Sequence, residues 1–145
     1  VDECKDVKVI CPIHKNPAVR EIAGKYLSNH ERIRLIEPLD VIDFHNYINK
    51  SYLILTDSGG VQEEAPSLGI PVLVLRDTTE RPEGVEAGTL KLVGTDEEEI
   101  YEVACRLIHN TNEYNLMSRA SNPYGDGHAS ERIVNYLVDY INKRG

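Results

Sequence analysis

One stretch constrains the fold more than any other. The apolar run Tyr52-Leu53-Ile54-Leu55 reads as a buried strand. It passes through Thr56-Asp57-Ser58-Gly59-Gly60 into the helical run Val61-Gln62-Glu63-Glu64-Ala65-Pro66-Ser67-Leu68-Gly69, and an apolar strand at residues 71–75 follows at once. Strand, helix and strand in such short order form a crossover unit, which places the two strands parallel in a sheet. The alternation continues on both sides. Further strands are expected at 7–11, 33–36 and 90–93, with helices at 17–27, 41–48, 97–109, 111–120 and 129–142. Pro17 stands at a first helical position behind Asn16, and Asp40 caps the helix that follows it. Ile100, Val103, Ala104, Leu107 and Ile108 recur at helical spacing, as do Ile133, Val134, Leu137, Val138 and Ile141. The pattern predicts an α/β protein: a Rossmann-like parallel sheet with helices on both faces. A chain of 145 residues fits one domain and is long enough to bury a core.

The turn at Ser58-Gly59-Gly60 is also a place to hold an anion. The first N–H groups of a helix have no intrahelical partner, and the helix dipole favours negative charge there. Gly59 and Gly60 leave the backbone open to a phosphate, and Ser58 can cap the helix or bond a phosphate oxygen. Glu64 lies about one and a half turns on, where its carboxylate can accept from two neighbouring hydroxyls, as a ribose presents them. The plainer reading is a capped helix with an acidic first turn, which any α/β protein can have. A Walker loop is excluded because no Lys follows the glycines, and the Gly-x-Gly-x-x-Gly spacing is absent.

In such a sheet, ligands bind at the carboxyl ends of the strands. The loop from Asp77 to Gly88 falls at that edge with Ser58, and long ordered loops in compact domains often carry function. It holds Glu80, Arg81, Glu83 and Glu86. A guanidinium bonds two oxygens at once, which suits Arg81 to a diphosphate. On charge pattern alone, a solvated loop with Arg81 paired to a neighbouring Glu is the better account.

The net charge of −8 argues against nucleic acid as a partner. No apolar run nears the roughly 20 residues that span a bilayer, and no signal-peptide pattern opens the sequence, so a cytoplasmic protein is expected. Cys4, Cys11 and Cys105 show no metal-ligand spacing, and neither do His30, His45 and His109. Cys11 and Cys105 sit in apolar patterns and are expected in the core. His128 reads as a surface or capping residue.

The segment from Thr56 to Gly69, with Pro71-Val72-Leu73-Val74-Leu75-Arg76-Asp77-Thr78-Thr79-Glu80-Arg81-Pro82-Glu83-Gly84-Val85-Glu86-Ala87-Gly88-Thr89, resembles the non-hydrolysing UDP-N-acetylglucosamine 2-epimerases. Pro12-Ile13-His14-Lys15-Asn16-Pro17-Ala18-Val19-Arg20 and Ser121-Asn122-Pro123-Tyr124-Gly125-Asp126-Gly127 match the same family. The resemblance implies one half of a glycosyltransferase-B type fold, residues 1–145 being a single UDP-binding C-terminal domain. The family's Thr-x-His-Arg-x-Glu-Asn segment has no counterpart here, and its acid–base carboxylates belong to the N-terminal domain, so the fragment alone is expected to be inactive.

For the parent protein the resemblance implies interconversion of UDP-N-acetylglucosamine and its manno epimer in polysaccharide biosynthesis. A base removes the C2 proton, UDP leaves to give a glycal, and UDP adds back with C2 inverted. No metal or other cofactor is implied, and full-length members are homodimers. Ser58, Gly59, Gly60 and Arg81 are expected on the diphosphate and Glu64 on the ribose. Phe44 is expected against the uracil, with the 37–40 loop, including Leu39, reading the base edge through its backbone. Many relatives have Gln where Leu39 stands. His14 matches a residue of a second, regulatory nucleotide-sugar site in bacterial relatives, though Lys15 departs from the pattern of several of them. A stand-alone UDP-sugar-binding or regulatory module and a glycosyltransferase C-terminal domain are the alternatives; the Thr78-Thr79-Glu80-Arg81-Pro82-Glu83 run favours the epimerase over the transferase.

Overall fold

A computed structural model describes residues 1–144. It divides into two compact units, Val1–Tyr47 and Ile48–Gly145.

The first unit is built on a two-stranded parallel sheet. β1 (Val9–Pro12) pairs with β2 (Ile33–Ile36), Val9 opposite Ile33 and Pro12 opposite Ile36, and α1 (Pro17–Leu27) makes the crossover between them. Asn16 caps α1, its Oδ1 accepting the Ala18 N–H at 3.0 Å, with Pro17 at the first position as the sequence predicts. β1 sits two residues beyond the expected start. Residues 4–7 are instead taken up in a turn, in which the Val7 N–H reaches the Cys4 carbonyl at 3.1 Å. Arg32 secures that turn by donating from Nη1 to the Cys4 carbonyl at 2.6 Å. α2 (Val41–Lys50) starts at the Asp40 cap, whose Oδ1 accepts the Asp43 N–H at 2.9 Å, and the unit boundary falls within this helix.

The second unit carries a three-stranded parallel sheet in the order β3 (Ile54–Thr56), β4 (Val72–Val74), β5 (Leu90–Leu92). β4 is the middle strand, and Val72, Leu73 and Val74 are fully buried, as a strand paired on both edges and covered on both faces must be. β3 is an edge strand of this sheet and only partly buried, which corrects the expectation of a buried strand at 52–55. α3 (Gly59–Ser67) connects β3 to β4 and packs on both. Pro66, in its last turn, has no N–H to give to the ladder, and beyond the helix end Gly69, with a φ of 71°, returns the chain to the sheet.

α5 (Glu97–His109) is capped by Asp96, whose side chain accepts the Glu99 N–H at 3.0 Å. It packs with α6 (Thr111–Ser118) and places Val103 and Leu107 against Leu73 and Val93 in the core. α7 (Ala129–Asn142) follows the Ser121–Gly127 segment, and all its residues are exposed.

Two expectations are corrected. The 77–88 segment is not all loop: α4 (Pro82–Ala87) forms within it and packs on β5. Pro82 opens this helix with a preset φ, and Gly88 closes it in the left-handed region, at φ 81°. Among the cysteines, the buried one is Cys4. Cys11 and Cys105 are half-buried, and burial pushes the Cys11 thiol above its ordinary value.

Candidate functional site

β3 and β4 run parallel with Thr56 opposite Val74, so their carboxyl ends open on the same edge of the sheet. α3 starts just past β3, and the segment leading to α4 starts just past β4. The sequence places the anion site at this edge, and the geometry there is specific.

Ser58 occupies the N-cap of α3 in extended conformation, but its hydroxyl makes no capping bond. Its N–H instead donates to Thr56 Oγ1 at 3.1 Å, which fixes the turn. Gly59 and Gly60 fill the first two helical positions. Neither has a positive φ, so the backbone does not demand glycine there. A Cβ built on Gly60 would meet only Glu64 Oε1 at 3.8 Å and Ser58 Oγ at 3.9 Å, so packing does not demand it either. Glycine in a helix costs roughly 0.5–1 kcal/mol relative to Ala. The backbone of both residues is therefore open to the approach of another group. The same distances show that Ser58 and Glu64 flank the open backbone of Gly60.

The helix start already attracts negative charge. Glu80 places Oε1 at 3.8 Å from the Cβ position of Gly59, as the dipole favours. Arg76, donating from Nη1 at 2.7 Å, holds that carboxylate ionised and its pKa below the ordinary 4.5.

Arg81 is tied to α3 at two points. Its Nε pairs with Glu63, and its N–H donates to Thr79 Oγ1 at 3.0 Å, while the Thr79 hydroxyl donates to Gln62 Oε1 at 2.5 Å. Nη1 also donates to the Glu80 carbonyl at 3.0 Å. Gln62 is fully buried, and its Nε2 has no hydrogen-bond partner among the described residues. An orphaned buried donor costs about 1–3 kcal/mol. Behind Arg81, the Tyr124 hydroxyl comes to 3.5 Å from its carbonyl, and burial pushes that phenol above its ordinary value.

The second unit thus brings Ser58, Gly59, Gly60, Glu64 and Arg81 to one sheet edge. Arg81 pairs with a glutamate, as the charge pattern allows, but the partner is Glu63 on α3 and not a loop neighbour. Leu39 and Phe44 lie in the first unit, before and within α2, both half-buried. The Phe44 N–H bonds the Asp40 carbonyl at 2.9 Å. His14, also in the first unit, is exposed, and its Nδ1 accepts the Asn16 N–H at 3.1 Å, the ordinary bond of a loop histidine. His128 is exposed and stands before α7, 3.3 Å from the Glu131 carboxylate.

Sequence reasoning passed over Gln62, Glu63 and Thr79. The signal for Gln62 was present: it shares a helix face with Ala65 and Pro66, and a Gln on a buried stripe must have a partner. Among the described residues no group of three or more His, Cys, Asp or Glu could hold a metal ion, and no helix is long and apolar enough to cross a membrane.

Fold and site define a class first: an α/β Rossmann-like protein of parallel sheets flanked by helices, with a glycine-opened helix and an arginine at one sheet edge. The family model for UDP-N-acetylglucosamine 2-epimerase matches residues 1–138, and the chain belongs to that family. It is 65% identical over 144 residues to the UDP-N-acetylglucosamine 2-epimerase of Bacillus subtilis, covering 99% of this chain and 38% of that protein. The S. aureus MnaA–UDP co-structure matches with TM-score 0.90 at 63% identity, over 97% of this chain and 39% of that one. The Neisseria meningitidis UDP-GlcNAc 2-epimerase bound to UDP-GlcNAc matches with TM-score 0.85 at 50% identity, over 91% and 36%. This chain therefore spans well under half the length of these relatives.

Proposed function

We propose that the chain is the C-terminal, UDP-binding part of a UDP-N-acetylglucosamine 2-epimerase. The parent enzyme interconverts the gluco and manno epimers by eliminating UDP and adding it back with C2 inverted. UDP has to stay bound through both steps, and holding it is this chain's share of the reaction. The diphosphate lies on the first turn of α3, where the N–H groups of Gly59 and Gly60, the Ser58 hydroxyl and Arg81 supply positive potential as negative charge grows on the departing group. Glu64 accepts from the ribose hydroxyls. The acid and base that move the C2 proton lie outside this chain.

The observation that carries the reading is the pair of glycines opening α3, which neither φ nor packing requires. The relatives solved with UDP and with UDP-GlcNAc support the choice of ligand. Glu64→Ala tests the site directly. It removes two charge-assisted hydrogen bonds to ribose, so UDP should bind roughly tenfold more weakly or worse. An unchanged dissociation constant in calorimetry would remove Glu64 from the site.

A further inference from the structure

We propose that Gln62 and Thr79 are positioning residues that set Arg81 for the diphosphate; the inference rests on the nucleotide reading above. Gln62 and Glu63 are consecutive on α3, and between them they hold Arg81 by both backbone and side chain. Glu63 takes the guanidinium at Nε. Gln62 acts through Thr79. The single hydroxyl proton of Thr79 is given to Gln62 Oε1 at 2.5 Å, which leaves the oxygen's lone pairs for the Arg81 N–H at 3.0 Å. The direction of this chain of bonds is fixed by the amide carbonyl at its buried end, and each bond polarises the next.

The relay acts on a residue that needs it. Arg81 precedes α4 with φ −126° and ψ 57°, outside the helical region; its carbonyl takes the Gly84 N–H at 3.3 Å, so the bond to Thr79 is the one that holds its own N–H. An arginine side chain is long and loses much rotamer freedom on being fixed; anchoring its backbone to the helix that carries Gly59 and Gly60 keeps the guanidinium in register with them. Gln62 is fully buried with its Nε2 orphaned. Its Oε1 is the atom that accepts from Thr79, so the acceptor half of the amide is the half the relay uses.

The test uses the full chain with UDP as ligand, calorimetry for affinity and thermal unfolding for stability. Gln62→Met keeps the length of the side chain, removes the acceptor and also removes the orphaned donor. It should bind UDP about tenfold more weakly while its midpoint is unchanged or raised. Thr79→Val should lose affinity to the same degree, and Thr79→Ser, which keeps the hydroxyl, should restore it. In amide NMR of Gln62→Met, the UDP-induced shift at Arg81 should shrink while those at Gly59 and Gly60 persist. UDP affinity unchanged in Gln62→Met and Thr79→Val would overturn the inference and leave the nucleotide reading standing. Shifts lost equally at Arg81 and the glycines, with a lowered midpoint, would show a structural role only and overturn it as well. Absence of UDP binding by the unaltered chain would overturn the nucleotide reading and this inference with it.

Discussion

At the scale of single residues, two missing side chains open the start of α3. Gly59 and Gly60 adopt ordinary helical backbone, and a methyl on Gly60 would find only van der Waals neighbours at 3.8 and 3.9 Å. Gly60→Ala should therefore leave the fold as stable or slightly more so, by up to about 1 kcal/mol from helix propensity. It should weaken UDP binding by roughly tenfold, because the methyl projects where a phosphate must meet the backbone. Calorimetry and chemical denaturation on the same sample separate the two effects. Loss of stability together with affinity would mean the glycine serves packing after all. Ser58, the glycines, Glu64 and Arg81 stand out in the sequence because each suits a phosphate or a sugar, and the structure brings them to one sheet edge. Glu63 and Thr79 do not, because they act in a contact between α3 and a segment about 17 residues away, of which spacing along the chain carries no sign; Gln62 shows only as a polar residue on a buried stripe.

At the scale of elements, hydrophobic period and caps gave nearly every helix and strand. Asn16, Asp40 and Asp96 each accept from the first turn of the helix they open. α4 was missed because Pro82-Glu83-Gly84-Val85-Glu86-Ala87 is too short to show a period, and its glycine reads as loop punctuation. The structure gives that glycine another reason. Gly84 is buried on α4, and a Cβ there would lie 2.5 Å from Leu90 Cδ1 and collide with the Tyr124 hydroxyl. Leu90 is 3% exposed, and its Cγ would lie only 2.7 Å away, so turning the tip of the side chain does not by itself relieve the clash. Gly84→Ala should cost about 1–3 kcal/mol by overpacking despite its better helix propensity. Equilibrium denaturation reads this, and a stability equal to the parent's would mean that α4 can lift from β5 without penalty. Since Arg81 immediately precedes α4, the same packing helps set where its guanidinium starts.

At the scale of the whole molecule, the chain belongs to the UDP-N-acetylglucosamine 2-epimerase family and covers 38% of the length of its Bacillus subtilis relative. Binding and proton transfer are separable tasks in an elimination and re-addition, and the residues at this sheet edge suit the first. The purified chain should therefore show no epimerisation of UDP-N-acetylglucosamine in a coupled or NMR assay. Enzyme-dependent turnover would mean that an acid and a base are present on this chain and have been overlooked. Alternation of strand and helix was enough to predict the parallel α/β class. The partition into two units was not legible, since the break falls inside α2, a helix with an unbroken pattern.

Titrating the unaltered chain with UDP while following its amide resonances shows whether the start of α3 holds the nucleotide. Progressive shifts should concentrate at Ser58, Gly59, Gly60, Glu64 and Arg81, with β4 and β5 little changed. No shifts at millimolar UDP, or shifts confined to residues away from the start of α3, would contradict the UDP-binding reading.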